Sequence, residues 1–349
     1  MTDKPRATAV ALLSGGLDST LAAKVILEQG ITVIGVNLAG AYCPRPFAGK
    51  SRAEKAAEKL GIELVTLPID AEFIAMVKHP KHGRGKNMNP CIDCHTLMIR
   101  KAWAWGQAEP EAKSQEPKAK AQRADFVITG EVLGQRPMSQ NRNALNTVAR
   151  ESGVGDRLLR PMSAKLLDVT APEREGLVDR ERLLDVEGRQ RIRQMALAEK
   201  YGIKDYPTPA GGCLLTEKVF SKRLAEAFDR SEDSIEIVEL LSLGRHFRLP
   251  SGVRLVVGRD ESENDELLRR KPAGAVVVDA GDLPGPVGIV VKGSRDRGIE
   301  GSSDGVLAAR ICARYSDKRK EKLARVVIAG EAVDVEPAGE EETARLLIA

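Results

Sequence analysis

The stretch Ala7–Thr20, which reads ATAVALLSGGLDST, decides the fold that this sequence predicts. Its first part, Ala7–Leu13, is short and mostly apolar and is followed directly by turn residues, which is typical of a buried strand. The glycines and hydroxyl residues of Ser14–Thr20 form a turn, and a helix is expected over Leu21–Gln29, ending at Gly30. This order predicts the first unit of an α/β sheet.

The same alternation continues along the chain. We expect strands over Ile31–Leu38, Ile62–Leu67 and Asp125–Thr129, and helices over Ser51–Leu60, Ile92–Trp105, Gly188–Tyr201 and Val219–Phe228. Strands that alternate with helices imply a parallel sheet with helices on both faces. The segment Gln107–Arg123 has almost no large apolar side chain, so it is predicted to be a solvated insertion.

Length and composition predict two domains and a cytoplasmic protein. A chain of 349 residues suggests about two domains. After about residue 230, short strands alternate with Gly/Pro turns, so we predict one domain over residues 1–230 and a smaller α+β domain over residues 231–349. No run of about 18 apolar residues occurs and no signal peptide is apparent, so no membrane segment is expected.

Charge and aromatic content limit the kind of nucleic-acid contact. The formal net charge is +4, and aromatic residues make up 3% of the chain. A binding surface built on stacked aromatic rings is therefore disfavoured. Any RNA contact is expected to use arginine and lysine side chains.

The turn after the first strand is a candidate anion site. Its glycines let the backbone approach an anion, and the helix that follows presents unpaired N–H groups and a positive dipole end. No lysine follows the last glycine, which excludes a Walker A loop, and the absence of Gly-x-Gly-x-x-Gly argues against a nicotinamide cofactor. A plain tight turn is the alternative.

Five cysteines suggest metal or thiol chemistry. They are Cys43, Cys91, Cys94, Cys213 and Cys312. The odd number and a reducing compartment disfavour disulfides. The thiols of Cys91, Cys94 and Cys213 come from two loops and suit an iron–sulfur cluster or zinc, each with one open position. Two thiols with a persulfide, or a buried pair with an unrelated core cysteine, are the alternatives. Cys43 and Cys312 are predicted to be structural.

The segment Ser14–Ser19 resembles the PP-loop of the ATP pyrophosphatases. The resemblance implies an adenine nucleotide alpha hydrolase-like fold and adenylation of a substrate, with AMP and pyrophosphate as products. It implies that Asp18 is catalytic, acting through Mg²⁺ or loop geometry. The loop residues that bind ATP would be Ser14, Gly15, Gly16, Asp18 and Ser19.

Two later segments narrow the resemblance. Thr129–Gln135, followed by Ser139–Gln140, resembles the signature of tRNA 4-thiouridine synthetases, and Leu159–Met162 resembles a motif that follows it in those enzymes. The resemblance implies a pocket for adenosine or uridine. Its lining residues would be Glu131, Gln135 and Ser139, and the cofactor-binding residues of this segment would be Gly130 and Gln135.

The segments Asn89–Cys94 and Gly212–Cys213 resemble the cysteine set of cluster-dependent tRNA thiolation enzymes. Related 2-thiouridylases described as cluster-free carry Asp where Cys91 stands. The resemblance therefore implies a [4Fe–4S] cluster whose ligands, also the catalytic thiols, are Cys91, Cys94 and Cys213. The histidines near this segment are not included among the ligands.

The C-terminal part resembles the RNA-binding domain at the end of the NFACT proteins, through Leu243–Arg248 and Val257–Asn264. This resemblance implies that the C-terminal domain contacts RNA. Two basic groups are predicted to meet tRNA phosphates. The first contains Arg245, His246, Arg248, Arg254 and Arg259, and the second contains Arg314, Lys318, Arg319, Lys320 and Lys322.

Together, the resemblances predict an ATP-dependent tRNA sulfurtransferase that adenylates a uridine carbonyl and replaces its oxygen with sulfur, forming 4-thiouridine. The expected cofactors are ATP, Mg²⁺ and the cluster. The expected partners are tRNA and a sulfur donor, either sulfide or a cysteine desulfurase, and a homodimer is also considered. Candidate phosphate contacts are Arg142, Arg160 and Lys165. The alternatives are 2-thiouridine synthesis, a PP-loop ligase with a zinc site, and an RNA-binding protein with a degenerate PP-loop.

Overall fold

The computed structural model describes residues 7–40, 49–68, 71–108, 123–204, 206, 213–281, 285–291, 302–317 and 319–349. These residues form two compact units, one up to Tyr206 and the other from Cys213 onward. The division falls earlier than the composition change near residue 230. The helix over Lys218–Asp229 belongs to the second unit because its Arg223 is bonded there. The buried guanidinium of Arg223 donates to the carbonyl oxygen of Leu241 over 2.9 Å.

The first unit alternates strands and helices. Its strands are β1 (Thr8–Leu12), β2 (Thr32–Ala39), β3 (Glu63–Pro68), β4 (Phe126–Ile128) and β5 (Leu158–Leu159). Its helices are α1 (Leu17–Leu27), α2 (Arg52–Leu60), α3 (Ala71–Lys78), α4 (Cys91–Gln107), α5 (Arg142–Glu151), α6 (Ala171–Arg174) and α7 (Ile192–Lys200).

The sheet of the first unit is parallel, with the strand order β3-β2-β1-β4-β5. The chain moves from β1 outward through β2 to β3, and it later returns to pair β4 with the other side of β1. The order therefore reverses between β1 and β4. In open parallel sheets, ligands bind outside the carboxyl ends of the strands at such a reversal.

Apolar residues cover both faces of this sheet. On one face, Val25 and Ile26 of α1 pack with Ala9 and Phe126. On the other face, Ile99 of α4 and Val148 of α5 pack with Val127. The strands are buried on both faces, which explains why they read as continuous apolar runs rather than alternating ones.

The second unit is built on an antiparallel sheet. Its strands are β6 (Arg245–Arg248), β7 (Arg254–Val257), β8 (Val276–Asp279), β9 (Gly288–Val291), β10 (Ala324–Ile328) and β11 (Glu331–Val335), in the order β11-β10-β8-β9-β7-β6. Its helices are α8 (Lys218–Asp229), α9 (Ile235–Leu240), α10 (Glu261–Arg270), α11 (Ser303–Arg314) and α12 (Glu340–Leu346). Helix α11 packs on one face through Ile311, and helix α10 packs on the other through Leu267.

The predicted fold class is confirmed: a parallel sheet with helices on both faces is joined to a smaller α+β unit. Some boundaries were wrong. Helix α1 begins at Leu17 rather than Leu21, because the last residues of the glycine turn already form its first turn. Helix α7 is shorter than the predicted Gly188–Tyr201, because Gly188 adopts a left-handed conformation and its N–H bonds to Leu133. Most of the predicted insertion lies outside the described residues.

Candidate active site

The glycine turn after β1 is held against the start of α2. Gly15 has a φ of +72°, and a Cβ at this position would overlap the carbonyl group of Arg52. Glycine is suited to this position because it adopts a positive φ without strain and has no Cβ to overlap Arg52. Ser14 Oγ accepts a hydrogen bond from the Gly16 N–H over 3.3 Å, which tightens the turn. From the described residues, no side chain caps the N-terminus of α1, so its first amides are open to an anion.

The turn after β4 packs against the first turn of α1. A Cβ at Gly130 would overlap the backbone nitrogen of Ser19 and lie 2.6 Å from the carbonyl carbon of Asp18. Gln135 Nε2 donates to Asp18 Oδ2 over 3.0 Å. Because β1 and β4 are neighbours, the two predicted motifs meet at the carboxyl end of the sheet, where the strand order reverses.

The two carboxylate oxygens of Asp18 differ in their hydrogen bonding. Oδ2 accepts the bond from Gln135, whereas Oδ1 is buried and has no hydrogen-bond partner among the residues that the structure describes. A buried carboxylate oxygen without a partner is costly, so it is typical of a site that binds a ligand or cation. The geometry therefore suits Asp18 for a role at a bound nucleotide.

The signature turn itself is rigid. The Gly134 N–H donates to the carbonyl oxygen of Gln140 over 2.7 Å, and Ser163 Oγ accepts from the Leu133 N–H over 3.0 Å. Ser139 and Gln140 are buried, which leaves Arg136 to Met138 exposed. Ser139 thus supports the turn.

Glu131 lies at the centre of a buried polar group that sequence reasoning did not foresee. Its Oε1 lies 2.7 Å from His95 Nδ1, and its Oε2 accepts from Arg160 Nε over 2.8 Å and from Thr129 Oγ1 over 3.1 Å. Burial alone would raise the pKa of Glu131, but the Arg160 and His95 charges outweigh burial and lower it to about 2. The adjacency of His95 to Cys94 was the signal available in the sequence.

The Cys-x-x-Cys pair occupies the first turn of α4. The Cys91 Sγ donates to Asn89 Oδ1 over 3.1 Å, and both cysteines are partly exposed. Asp93, between them, is buried and accepts from the backbone N–H groups of Lys81 (3.2 Å) and His82 (3.0 Å). The carboxylate of Asp93 therefore fixes the polar loop that precedes the pair.

The third predicted ligand, Cys213, is partly exposed and belongs to the second unit. In the described ranges, no three side chains of His, Cys, Asp or Glu are arranged to hold a metal ion. Cys43, Gly211 and Gly212 lie outside these ranges. The structure thus places two of the three thiols on one helix turn, and the full ligand set stays a prediction.

Cys312 is different from the other described cysteines. It is fully buried in α11, and burial raises the pKa of its thiol to about 12. A Cβ at Gly288 would lie 2.6 Å from its Sγ, so the thiol fills the space that this glycine leaves. Its environment is that of a structural cysteine.

The three side chains of the first unit that were predicted to contact phosphate form hydrogen bonds within the protein. Arg160 is buried against Glu131, so its predicted role in binding phosphate is wrong. Arg142 donates to the carbonyl oxygen of Leu166 over 2.8 Å, and Lys165 donates to that of Glu181 over 2.8 Å. These bonds tie segments of the chain together.

The first basic group predicted in the second unit is not a free surface. Arg254 and His246 are fully buried. Nη2 of Arg254 lies 2.5 Å from Oε2 of Glu226 and 2.9 Å from Oε2 of Glu232. Arg248 pairs with the same two carboxylates. Burial lowers the pKa of His246 well below its usual value, and neighbouring arginines add to the effect. The prediction was wrong for these three residues, because Arg248 and Arg254 pair with carboxylates of α8 and the loop after it, and His246 bonds to the carbonyl oxygens of Leu240 and Leu243.

The remaining basic residues differ in their partners. Arg259 pairs with Glu263, and the guanidinium of Arg245 lies 4.5 Å from the ring centroid of Tyr315. Arg314 lies 3.5 Å from Glu340. Arg319, Lys320 and Lys322 are exposed, and Lys318 lies outside the described residues.

Two family comparisons match different parts of the chain. Residues 7–107 match the family described as the tRNA methyl transferase HUP domain, and residues 244–345 match the NFACT protein RNA binding domain. The first match contains the glycine turn and the cysteine pair. The second match covers the antiparallel sheet of the second unit.

Curated relatives are tRNA-specific 2-thiouridylases. The enzyme of Symbiobacterium thermophilum is 26% identical over 265 residues, covering 68% of this chain and 60% of the relative. That of Cutibacterium acnes is 34% identical over 99 residues, covering 25% of this chain and 27% of the relative. The chain therefore spans less than two thirds of the length of these relatives.

Two of the solved structures that the chain resembles are named for a tRNA thiolase and a 4-thiouridine synthetase. The U34-tRNA thiolase NcsA from Methanococcus maripaludis, solved with its [4Fe–4S] cluster, is 17% identical with a TM-score of 0.29, covering 68% of this chain and 71% of the other. A 4-thiouridine synthetase–RNA complex with bound ATP is 18% identical with a TM-score of 0.31, covering 67% of this chain and 52% of the other. Within the described ranges, no helix is long and apolar enough to cross a membrane.

Proposed function

We propose that this protein is an ATP-dependent tRNA sulfurtransferase that acts in the cytoplasm. The observation that carries the proposal is the junction of two motifs at the reversal of the sheet. There, Gln135 of the signature turn holds Asp18 of the glycine turn beside the open N-terminus of α1. The curated relatives, which are named for tRNA thiolation, support the same reaction class.

In this proposal, the glycine turn binds the pyrophosphate part of ATP. Gly15 and Gly16 let the backbone reach the phosphates, while Ser14 and Ser19 contribute hydroxyl groups. Asp18 Oδ1, which is buried and has no partner in the described part of the chain, supplies an oxygen for the Mg²⁺ that accompanies ATP. The close approach of Gly130 to the start of α1 brings the signature turn against the nucleotide.

The proposed reaction exchanges oxygen for sulfur in two steps. The uracil carbonyl oxygen attacks the α-phosphorus of ATP, and pyrophosphate leaves. A hydrosulfide then adds to the same carbon, and AMP leaves with the former carbonyl oxygen, while the proton of the hydrosulfide goes to solvent. Adenylation is needed because the unmodified oxygen is a poor leaving group.

Cys91, Cys94 and Cys213 are the proposed cysteine ligands. Two thiols on the first turn of α4 fit one side of a cluster, and the helix N-terminus favours their thiolate form. When held by these three thiols, a [4Fe–4S] cluster would supply a Lewis acid for a sulfur nucleophile. The second unit is proposed to contact the tRNA, given its match to an RNA-binding domain. Sulfide or a cysteine desulfurase is the proposed sulfur donor.

Two products fit this proposal. The signature over Thr129–Gln135, which resembles that of 4-thiouridine synthetases, favours 4-thiouridine. The names of the curated relatives favour 2-thiouridine. The test incubates unmodified tRNA with the anaerobically purified protein, ATP and sulfide and digests it to nucleosides. Liquid chromatography with mass spectrometry then distinguishes the two isomers, which have the same mass but differ in retention and ultraviolet spectrum.

The control for this experiment is a pair of variants with matched chemistry. Asp18→Asn is expected to abolish thiouridine formation, whereas Asp156→Asn, at an exposed ion pair with Arg174, is expected to leave it unchanged. Absence of any thiouridine with a protein that contains its full iron content and binds tRNA would refute the proposed function.

A further inference from the structure

Four arginines of the first unit stand apart in their bonding. Arg52, Arg136, Arg189 and Arg191 make no side-chain hydrogen bond or ion pair within the part of the chain that the structure describes. The other described arginines of this unit have partners, as Arg157 has in Glu175. Among the described arginines of this unit, lack of an internal partner is therefore confined to these four positions.

All four positions lie around the carboxyl end of the parallel sheet. Arg52 begins α2, and its carbonyl group is the one that Gly15 of the glycine turn approaches. Arg136 directly follows Gln135, which bonds to Asp18. Both arginines thus lie next to residues of the candidate nucleotide site.

Arg189 and Arg191 join the same area through a backbone contact. The Gly188 N–H donates to the carbonyl oxygen of Leu133 over 2.8 Å, and a Cβ at Gly134 would lie 3.4 Å from the Gly188 nitrogen. Arg189 follows this contact by one residue, and Arg136 follows Gly134 by two. A residue spans less than 4 Å of chain, so the two backbones are neighbours at this edge.

Exposed apolar side chains occur in the same segments. Met138 and Ile192 are each 70% exposed, and Met195 is 53% exposed. We use the name arginine rim for the surface formed by Arg52, Arg136, Met138, Arg189, Arg191 and Ile192. It combines arginine side chains that have no hydrogen-bond or ion-pair partner among the described residues with two exposed apolar side chains.

The arginine rim contrasts with the first basic group of the second unit. There, Arg248 and Arg254 share the carboxylates of Glu226 and Glu232, and Arg259 pairs with Glu263. Those pairs neutralise their own charge and stabilise the fold. Charge without an internal partner is available to an oppositely charged molecule, and a cluster of it raises the local concentration of such a molecule.

We propose that the arginine rim docks the phosphate backbone of the substrate RNA beside the glycine turn, with the apolar side chains contacting unstacked bases. The inference rests on the proposed tRNA partner and assigns its contact to the first unit. Arginine recognises phosphate through paired N–H groups, and single-stranded regions of RNA expose the faces of their bases. The rim holds the modified strand at the site where its uridine is adenylated.

The test measures the binding of unmodified tRNA to the full chain as a function of salt. Each lost phosphate contact lowers the slope of log K against log salt by about 0.7–0.9. The double variant R136Q/R189Q is expected to bind tRNA about tenfold more weakly, with a slope lower by about 1.5. The control R157Q/R174Q removes the same charge at arginines that have carboxylate partners, and it is expected to retain the wild-type affinity and slope.

The outcomes distinguish the rim from the proposed function. Wild-type tRNA affinity and slope in R136Q/R189Q overturn the rim alone and leave the function in place. Loss of ATP affinity with unchanged tRNA binding also overturns it, because the arginines would then serve the nucleotide. Tighter binding of polyglutamate than of tRNA would identify an acidic protein as the occupant instead. A wild-type protein that binds tRNA but never thiolates it refutes the function and not the rim.

Discussion

Gln135 donates from Nε2 to Oδ2 of Asp18 over 3.0 Å, although the two residues lie 117 positions apart in the chain. The bond crosses from the turn after β4 to the first turn of α1. The other oxygen of Asp18, Oδ1, is buried and finds no partner within the described ranges. The two motifs that the sequence suggested separately thus form one site.

Removing this bond is expected to impair ATP-dependent pyrophosphate release. A hydrogen bond to a charged group contributes about 1.5–3 kcal/mol, which corresponds to a loss of about tenfold to a hundredfold in the Gln135→Ala variant. Steady-state pyrophosphate release in the presence of tRNA measures the effect. Gln29→Ala is the matched control, because Gln29 bonds to Asp179 on the surface. Equal rates in the two variants would show that the Asp18–Gln135 bond is unimportant.

The glycines of the site have separable structural roles. Gly15→Ala combines an unfavourable φ with overlap on Arg52, whereas Gly130→Ala has the overlap alone. Gly153→Ala is the control for φ alone, because Gly153 has a φ of +76° and open space at its Cβ. We expect Gly153→Ala to cost about 1–2 kcal/mol of unfolding free energy and Gly15→Ala to cost about 1–3 kcal/mol more. Urea denaturation checks the order, and a Gly15→Ala variant no less stable than Gly153→Ala would contradict it.

The buried carboxylate of Glu131 predicts a pH dependence of stability. Its pKa is lowered to about 2 in the folded protein, below the unfolded value, so the stabilisation is full above the unfolded pKa. It is lost as pH falls from about 4.5 toward 2. Two and a half pKa units correspond to about 3 kcal/mol.

The measurement compares wild type with Glu131→Gln by denaturation between pH 6 and pH 3. The stability advantage of the wild type should shrink as pH falls. Glu151→Gln serves as a control, because the lowered pKa of Glu151 arises from exposed partners, His82 and Lys81, that salt screens. A stability difference for Glu131→Gln that does not change with pH would contradict the account.

The cysteines should divide by chemistry. Anaerobically purified protein is expected to contain about four irons per chain, and Cys91→Ala or Cys213→Ala should lose them. Cys312→Ala should retain the iron, because Cys312 is buried in α11. Iron and sulfide analysis with visible absorbance tests this. Zinc in place of iron, or full iron in Cys213→Ala, would refute the proposed ligand set.

Sequence reasoning identified the parallel sheet, because buried strands read as apolar runs between turn residues. It also identified the glycine turn and the cysteine pair, whose residue types carry local signals. It missed the contact of Glu131 with His95 and Arg160, since these residues come from separate parts of the chain that only the fold brings together. It also mistook Arg248 and Arg254 for a surface patch, because the carboxylates that neutralise them lie in a helix and loop distant in sequence.

The origin of the oxygen in AMP tests the central claim most directly. tRNA carrying ¹⁸O at a uracil carbonyl is incubated with the protein, ATP and sulfide, and the AMP is analysed by mass spectrometry. If the carbonyl oxygen attacks the α-phosphorus, AMP acquires the ¹⁸O in equal amount to the thiouridine formed, and the labelled carbonyl identifies the modified carbon. Unlabelled AMP with either carbonyl labelled would mean that ATP is hydrolysed by water, and it would contradict adenylation of the uridine.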